Sequence, residues 1–260
     1  MAERARAYIL GLSLLAAWAW GDPTQPARTL TEPVSGFAYQ SSETQALQQD
    51  EFANPGLLWV DRGRTLWRDG SEGPACASCH DAPSAMCEVA PRYPRFDAAA
   101  GTVINLTQRI NRCRVEHQQL PAHAYENDAL LALTALVSHQ ARGLPFNVDI
   151  GGAARPHFDA GRAYFYKRRG QMNLACHHCH EANAGRMLRG DRLSQGHGNG
   201  YPIYRLAWQT VGSLHRRLQF CNTGVRAESA PLGDQRYVNL ELFLAWRAGA
   251  LPIETPGVRR

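Results

Sequence analysis

The feature that most constrains this chain is a five-residue motif, Cys-x-x-Cys-His, which occurs twice. It appears as Cys76-Ala77-Ser78-Cys79-His80 and again as Cys176-His177-His178-Cys179-His180. This spacing is typical of covalent c-type haem attachment, in which each cysteine adds to one haem vinyl group and the histidine binds the iron. The chain has only seven cysteines, so the motifs predict two covalently bound haem c groups. The alternative is a zinc site or a redox-active Cys-x-x-Cys, but no thioredoxin-like βαβ pattern accompanies either motif.

The amino-terminal segment has the pattern of an export signal. Arg4 and Arg6 precede an apolar run from Tyr8 to Trp20, which is shorter than the ~20 residues that a membrane-spanning helix needs. Ala17-Trp18-Ala19 supplies a small-residue cleavage site. We therefore expect residues 1–19 to be a signal peptide cleaved near Ala19, and the mature protein to lie in the periplasm. A retained membrane anchor is the alternative.

The formal net charge of +5 does not indicate a nucleic-acid partner. Each haem would add two propionates, and cleavage of the signal peptide would remove arginines, so the mature protein should be close to neutral. Almost every basic residue is arginine, with Lys167 the only lysine. Because the guanidinium fork suits propionates and small oxyanions, we expect local anion sites and no nucleic-acid binding. A compositional bias towards arginine would explain the scarcity of lysine equally well.

The remainder of the chain reads as an arm followed by a repeat. Residues 20–49 are rich in Pro, Thr, Ser and Gln without helical periodicity and predict an extended arm or linker. Residues 50–148 and 149–260 then share an order of signals: an amphipathic segment, the Cys-x-x-Cys-His motif, an Arg-x-x-x-Cys segment and a longer apolar helix. We predict an all-α, loop-rich fold of two tandem c-type cytochrome domains related by internal duplication. The first would hold the first haem, and the second would hold an active-site haem.

The ligand opposite each proximal histidine decides what a haem can do. Met86 and Met187 follow the motifs too closely to reach the far face of a haem, and no methionine follows Met187. Cysteines occur instead at matching places in the two repeats, Cys113 and Cys221. We therefore predict that iron is bound by His80 and Cys113 in the first domain, and by His180 and Cys221 in the second.

A disulfide provides another interpretation of the first site. Cys87 could pair with Cys113 in an oxidising compartment, and His117 or His123 would then be the remaining candidate ligand. Without that bond, Cys87 is an unpaired thiol to which the sequence assigns no role.

The second site carries more than an iron ligand. Iron binding would keep the Cys221 sulfur deprotonated, so this thiolate is a candidate nucleophile as well as a ligand. Arg217 precedes it by one helical turn, which places the guanidinium on the same face, where it can hold a small sulfur oxyanion. Arg216, Arg226 and Arg205 also lie near in sequence. Because Arg109 has the same spacing to Cys113, a propionate partner remains the alternative role for Arg217.

Two segments resemble a known family. The run Tyr201-Pro-Ile-Tyr-Arg-Leu-Ala-Trp-Gln-Thr-Val-Gly-Ser-Leu-His-Arg-Arg-Leu-Gln-Phe-Cys221 is similar to the signature of SoxA, the dihaem subunit of the SoxAX cytochromes of bacterial thiosulfate oxidation. The earlier run from Asn105 to Cys113 resembles that family's first distal-ligand segment. The resemblance implies an L-cysteine S-thiosulfotransferase that joins thiosulfate to a cysteine of the SoxYZ carrier. It further implies a SoxX monohaem partner, an electron-accepting cytochrome c, a Cys221 often found as a persulfide, and a catalytic Arg217.

Two other functions remain open at this point. One is a dihaem thiosulfate dehydrogenase that forms tetrathionate, although such enzymes are expected to use Met or Lys at the second haem. The other is a plain dihaem electron carrier in which Cys221 is only a ligand.

Overall fold

The computed structural model describes residues 32–260, so the predicted signal peptide and the first part of the predicted arm lie outside the described residues. The described chain forms nine α-helices joined by long loops and four short 3₁₀ turns. In chain order the helices are α1 (Ser42–Gln49), α2 (Leu57–Arg68), α3 (Ala77–His80), α4 (Leu106–Glu116), α5 (Asp128–Gln140), α6 (Arg155–Tyr166), α7 (Cys176–His180), α8 (Leu214–Gly224) and α9 (Gln235–Ala248).

Three small sheets accompany the helices, so the all-α prediction was too simple, although the helix-rich character is confirmed. Two of them are hairpins, and the third is three-stranded because the carboxy-terminal strand adds parallel to the central strand. The strands are β1 (Arg95–Asp97), β2 (Thr102–Ile104), β3 (Met187–Leu188), β4 (Asp191–Arg192), β5 (Ile203–Arg205), β6 (Thr210–Gly212) and β7 (Gly257–Arg259). Their short length explains why no alternating pattern was visible in the sequence.

The amino-terminal arm contains a helix where an extended segment was predicted. The Ser41 hydroxyl accepts a hydrogen bond from the Thr44 backbone N–H and so caps α1. The helix contacts β7, and Gln48 is buried there, its side-chain oxygen accepting from the Val258 backbone N–H at 2.9 Å. Tertiary packing therefore orders a polar segment that shows little periodicity of its own. The prediction of an arm over residues 20–49 is wrong for Ser42–Gln49.

Two helix pairs supply the two main apolar clusters. Helix α2 packs on α5, and α6 packs on α9, each crossing at a glycine. A Cβ added at Gly63 would collide with the Ala132 carbonyl oxygen, and one added at Gly161 with that of Asn239. Each crossing thus needs a residue without a side chain so that the two backbones can approach closely.

The same order of elements occurs in each half of the described chain: a helix, a Cys-x-x-Cys-His turn, a hairpin, a ligand helix and a long apolar helix. The hairpins also share one register, because Asp97 pairs with Thr102 in the first and Arg205 pairs with Thr210 in the second. The two halves nevertheless form one compact unit over residues 32–260. The division into domains at residues 148 and 149 stays a prediction. Within residues 32–260, no helix is long and apolar enough to cross a membrane.

A buried hydrogen-bond network joins the two ligand helices at their amino-terminal ends. Asn105 caps α4 and donates from Nδ2 to the Glu241 carboxylate at 2.8 Å. His215, in the first turn of α8, has Nε2 3.2 Å from the same carboxylate oxygen. The Gly233 backbone N–H donates to His215 Nδ1 at 3.1 Å, so the ring proton of the neutral imidazole lies on Nε2. One carboxylate therefore fixes the starting points of both helices that carry the predicted distal cysteines, Cys113 and Cys221.

Candidate functional site

The second Cys-x-x-Cys-His motif forms the one-turn helix α7, and this helix brings its cysteines towards the predicted distal ligand. Residues three apart on a helix share a face, so Cys176 and Cys179 lie on the same side. Both thiols lie near Cys221 of α8, whose charge contributes to raising their pKa values, with burial the larger cause. The attachment cysteines and the predicted distal sulfur therefore converge.

Backbone contacts hold His180 in an orientation suited to binding iron. Its Nδ1 lies 2.8 Å from the Ser194 carbonyl oxygen, which leaves Nε2 available for a metal. Gly196 lies directly against the imidazole, since an added Cβ would be 2.8 Å from its Cγ, and its φ of +78° also favours glycine. Arg247 donates to the carbonyl oxygens of His180 and Gln195 at 3.3 and 2.6 Å.

The predicted axial pair, His180 and Cys221, is brought together by the fold. Burial of the half-buried Cys221 raises its pKa, but the charge of Arg217, a hydrogen bond from His180 and the charge of Arg205 outweigh burial and lower the pKa to about 7. A thiol with a lowered pKa beside an imidazole of fixed ring orientation is the donor set that a thiolate-ligated haem requires. The residues present therefore fit a haem c at this site.

Around Cys221 the side chains are cationic and aromatic. Arg217 lies over the Phe220 ring at 5.0 Å, and its buried NH1 group has no hydrogen-bond partner among the described residues. Tyr201 lies close to both Arg217 and Cys221; burial raises the pKa of its phenol to about 12, so this group stays protonated. A half-buried guanidinium with one unused, buried donor beside a thiol is suited to holding a small oxyanion.

The first site has the same framework and a different charge. Cys113 on α4 lies close to the attachment cysteines Cys76 and Cys79, and burial raises the pKa of Cys113. Arg109, the counterpart of Arg217, has Asp97 at 3.8 Å, and Asp97 also pairs with Arg112 at 2.7 Å. The arginines at this site thus already have an anionic partner, which leaves less reason for a substrate anion to bind.

Surroundings of the first proximal histidine are also less restrictive. The His80 ring lies 5.9 Å from the Trp67 ring, whose Nε1 donates to the Asp81 carbonyl oxygen at 2.8 Å.

All seven cysteines lie within residues 32–260 and are free, so the alternative of a Cys87–Cys113 disulfide is not formed, and Cys87 is exposed. Assignment of the eight ligand and attachment residues stays a prediction.

Sequence reasoning missed several residues of the second site. Ser194 lies 14 residues after His180 in a loop, and Gly196 follows two residues later, at intervals that no haem-binding motif prescribes. Tyr201 and Phe220 belong to the quoted signature but carry no chemistry that the pattern alone could assign. Arg205 was noted only as a neighbour in sequence. Alignment of the two hairpins, which places Arg205 at the position of Asp97, would have singled it out.

Comparison with known proteins gives a consistent result. Residues 62–146 match the family described as SoxA/TsdA, cytochrome c domain, and a cytochrome c domain implies covalently bound haem c. The chain is 39% identical to the L-cysteine S-thiosulfotransferase subunit SoxA of Pseudaminobacter salicylatoxidans, over 88% of this chain and 82% of that relative. It is 36% identical to the subunit of the same name from Rhodovulum sulfidophilum, over 91% and 84%.

A solved structure agrees with the sequence relatives. The fold superimposes on a chain of the crystal structure of SoxXA from P. pantotrophus with a TM-score of 0.84 and 36% identity, covering 88% of this chain and 87% of that chain. Together with the site geometry, these similarities show that this chain belongs to the SoxA family.

Proposed function

We propose that this protein is a periplasmic dihaem cytochrome that joins thiosulfate to a cysteine of a SoxYZ-type carrier protein, as an L-cysteine S-thiosulfotransferase. The observation that carries the proposal is the hydrogen bond between His180 and Cys221, with Arg217 beside them, whose buried NH1 group has no hydrogen-bond partner among residues 32–260. The names of the curated relatives support the same activity.

Two haem c groups are proposed, each of which would be attached by two cysteines and bound by one histidine and one further cysteine. When bound, haem supplies the capacity to accept electrons one at a time. The first group would be held by Cys76, Cys79, His80 and Cys113, and the second by Cys176, Cys179, His180 and Cys221. The element order shared by the two halves supports an origin by tandem duplication.

The residues of the second site account for the chemistry as follows. Arg217 binds the thiosulfate dianion through charge-assisted hydrogen bonds and directs its outer sulfur towards Cys221. Cys221, as thiolate or persulfide, carries the sulfur covalently until the carrier thiol accepts it. The overall reaction forms one S–S bond between the carrier sulfur and the outer sulfur of thiosulfate, and releases one proton and two electrons. When bound, the haem would supply the acceptor for these electrons, and a c-type cytochrome would take them onward.

The partners follow from the family. The similarity to SoxXA supports a heterodimer with a SoxX monohaem cytochrome. The first haem is proposed to be mainly structural, because Arg109 and Arg112 near it are already ion-paired with Asp97. Export is proposed from the amino-terminal pattern and from the compartment in which c-type haem is attached.

Product analysis tests this function against the two alternatives. The purified dihaem protein, with its SoxX partner, is incubated with thiosulfate, a carrier protein and an oxidised cytochrome c. We expect a thiosulfonate mass adduct on the carrier cysteine together with cytochrome reduction. Tetrathionate formed without the carrier would instead indicate a thiosulfate dehydrogenase. Electron transfer without either product would indicate a plain carrier.

A further inference from the structure

Arg205 occupies a special position when the two hairpins are compared. Strand β5 ends at Arg205, paired with Thr210, as β1 ends at Asp97, paired with Thr102. Each hairpin leads into a ligand helix, and in the first half Asp97 meets the arginines of that helix. The second half therefore places a positive charge where the first half places the neutralising negative one.

The surroundings of Arg205 do not satisfy its charge. Its side chain is 9% exposed, and its buried Nε has no hydrogen-bond partner among residues 32–260. The nearest carboxylate, that of Asp191, lies 3.9 Å away and is itself 49% exposed. The guanidinium stacks instead over the Trp208 and Phe220 rings at 5.3 and 5.9 Å. Aromatic faces orient a guanidinium and leave its N–H edge free to donate.

The guanidinium groups of Arg205 and Arg217 lie close to the same two residues, Phe220 and Cys221. Both lie over the ring of Phe220, and both retain a buried donor without a hydrogen-bond partner in the described part of the chain. The charge of each also lowers the pKa of Cys221. Two like charges held together in a poorly solvated site destabilise each other unless an anion lies between them. The Cys221 thiolate supplies one negative charge to this pair of arginines, and their two free donors suit a further anion with several acceptor atoms.

We propose that Arg205 is a second anion-binding residue of the active site, which together with Arg217 holds the sulfonate end of thiosulfate. This inference rests on the proposed function and adds to it a two-arginine specificity for dianionic sulfur oxyanions. Three sulfonate oxygens can accept hydrogen bonds from both guanidinium groups at once. With the sulfonate fixed in this way, the outer sulfur is the end left to face Cys221.

The test measures thiosulfate binding to the oxidised dihaem protein by calorimetric titration without the carrier. Arg205→Gln should raise the thiosulfate Kd about ten- to a hundredfold, as expected for the loss of charged hydrogen bonds. Arg205→Lys, which retains the charge without the fork, should recover part of the loss. Arg216→Gln is the matched control: Arg216 also stacks on Trp208, at 4.3 Å, but lies near Glu126. It should change the Kd less than about threefold, the usual scale for an exposed ion pair.

A haem propionate is the competing partner for Arg205, and the same variants distinguish it. If Arg205 bound a propionate, Arg205→Gln would shift the midpoint potential of the second haem and leave the thiosulfate Kd unchanged, which would overturn the inference. An unchanged Kd with an unchanged potential would overturn it too. If Arg205→Gln does not retain haem, the inference is tested with Arg205→Lys alone. A thiosulfate Kd for Arg205→Lys equal to that of the wild type would overturn a bidentate role of Arg205. Failure of the proposed function itself would appear separately, as wild-type protein that binds thiosulfate and forms no carrier adduct.

Discussion

The two halves of this molecule present the same framework with opposite electrostatics. Each has a hairpin, a capped ligand helix, an arginine one turn before a cysteine, and a Cys-x-x-Cys-His turn facing that cysteine. In the first half Asp97 pairs with Arg109 and Arg112. In the second half, Arg205 replaces the carboxylate, and the pKa of Cys221 is lowered whereas that of Cys113 is raised. On the proposed roles, the exchange of Asp97 for Arg205 on a shared framework separates a charge-paired first site from an anion-binding second site.

The largest expected difference concerns the two distal cysteines. Cys221→Ala should reduce carrier-dependent thiosulfate turnover by on the order of 10³-fold or more, because it removes the proposed covalent sulfur carrier. Cys113→Ala should retain most of the turnover, because only a ligand of the first haem is lost. Turnover is measured alongside haem content. Equal losses in the two variants, at full haem content, would contradict the assignment of chemistry to the second site.

The arginines one turn before these cysteines should differ next. Arg217→Gln should lower kcat/KM for thiosulfate by about 10²-fold, the scale for removing one preorganised donor from a charged transition state. Arg109→Gln serves as the matched control, because Asp97 already neutralises Arg109. Its kcat/KM should remain close to that of the wild type. A similar loss in Arg109→Gln would mean that both arginines act through the haem propionates.

Helix crossings should be equivalent in the two halves, in contrast to the ligand sites. Gly63→Ala and Gly161→Ala each place a Cβ against a backbone carbonyl of the facing helix, so each should cost about 1–3 kcal/mol of unfolding free energy or more. Gly224→Ala, where an added Cβ meets nothing within 4 Å, should change stability by less than about 1 kcal/mol. Denaturant unfolding of the holoprotein measures all three. Stability unaffected by Gly161→Ala would show that α6 and α9 do not pack as closely as described.

The smallest expected effect is the contribution of Asp97 in the first site to the pH dependence of the unfolding free energy. The pKa of Asp97 is lowered, first by a hydrogen bond from the Ala100 backbone N–H and also by Arg112. A carboxyl whose pKa is lower in the folded than in the unfolded chain stabilises the fold fully at pH values above its ordinary pKa near 4. This stabilisation is lost as the pH falls through the pKa of the folded state. Asp97→Asn should therefore cost up to about 1 kcal/mol at pH 7. The difference from wild type should shrink progressively as the pH falls below about 4, when stability is compared by denaturant titration. A constant difference over the whole range would exclude this electrostatic origin.

Sequence alone predicted the parts of the site that have a fixed spacing. The Cys-x-x-Cys-His motifs and Cys221 carry their chemistry in residue type and interval, and the fold brings Cys176, Cys179 and Cys221 together as expected. The loop that orients His180 was not predictable, because Ser194 contributes only its backbone carbonyl oxygen. Any residue could supply that atom, so no side-chain pattern marks it.

The fold was predicted less completely where packing between distant segments determines the secondary structure. Helix α1 depends on burial of Gln48 against β7, at the far end of the chain. Three-residue strands are too short for an alternating pattern, and the sheet of β5 and β7 joins segments distant in sequence. The charge reversal between Asp97 and Arg205 was present in the sequence. Only the shared register of the two hairpins shows that Asp97 and Arg205 occupy equivalent positions.

The most direct test of the central claim is peptide mass spectrometry of the oxidised dihaem protein after incubation with thiosulfate. The peptide containing Cys221 should carry added sulfur, as a persulfide or a thiosulfonate, and the peptide containing Cys113 should not. Added sulfur on both cysteines, or on Cys113 alone, would contradict the claim that the pairing of Arg217 and Arg205 confines the chemistry to the second site.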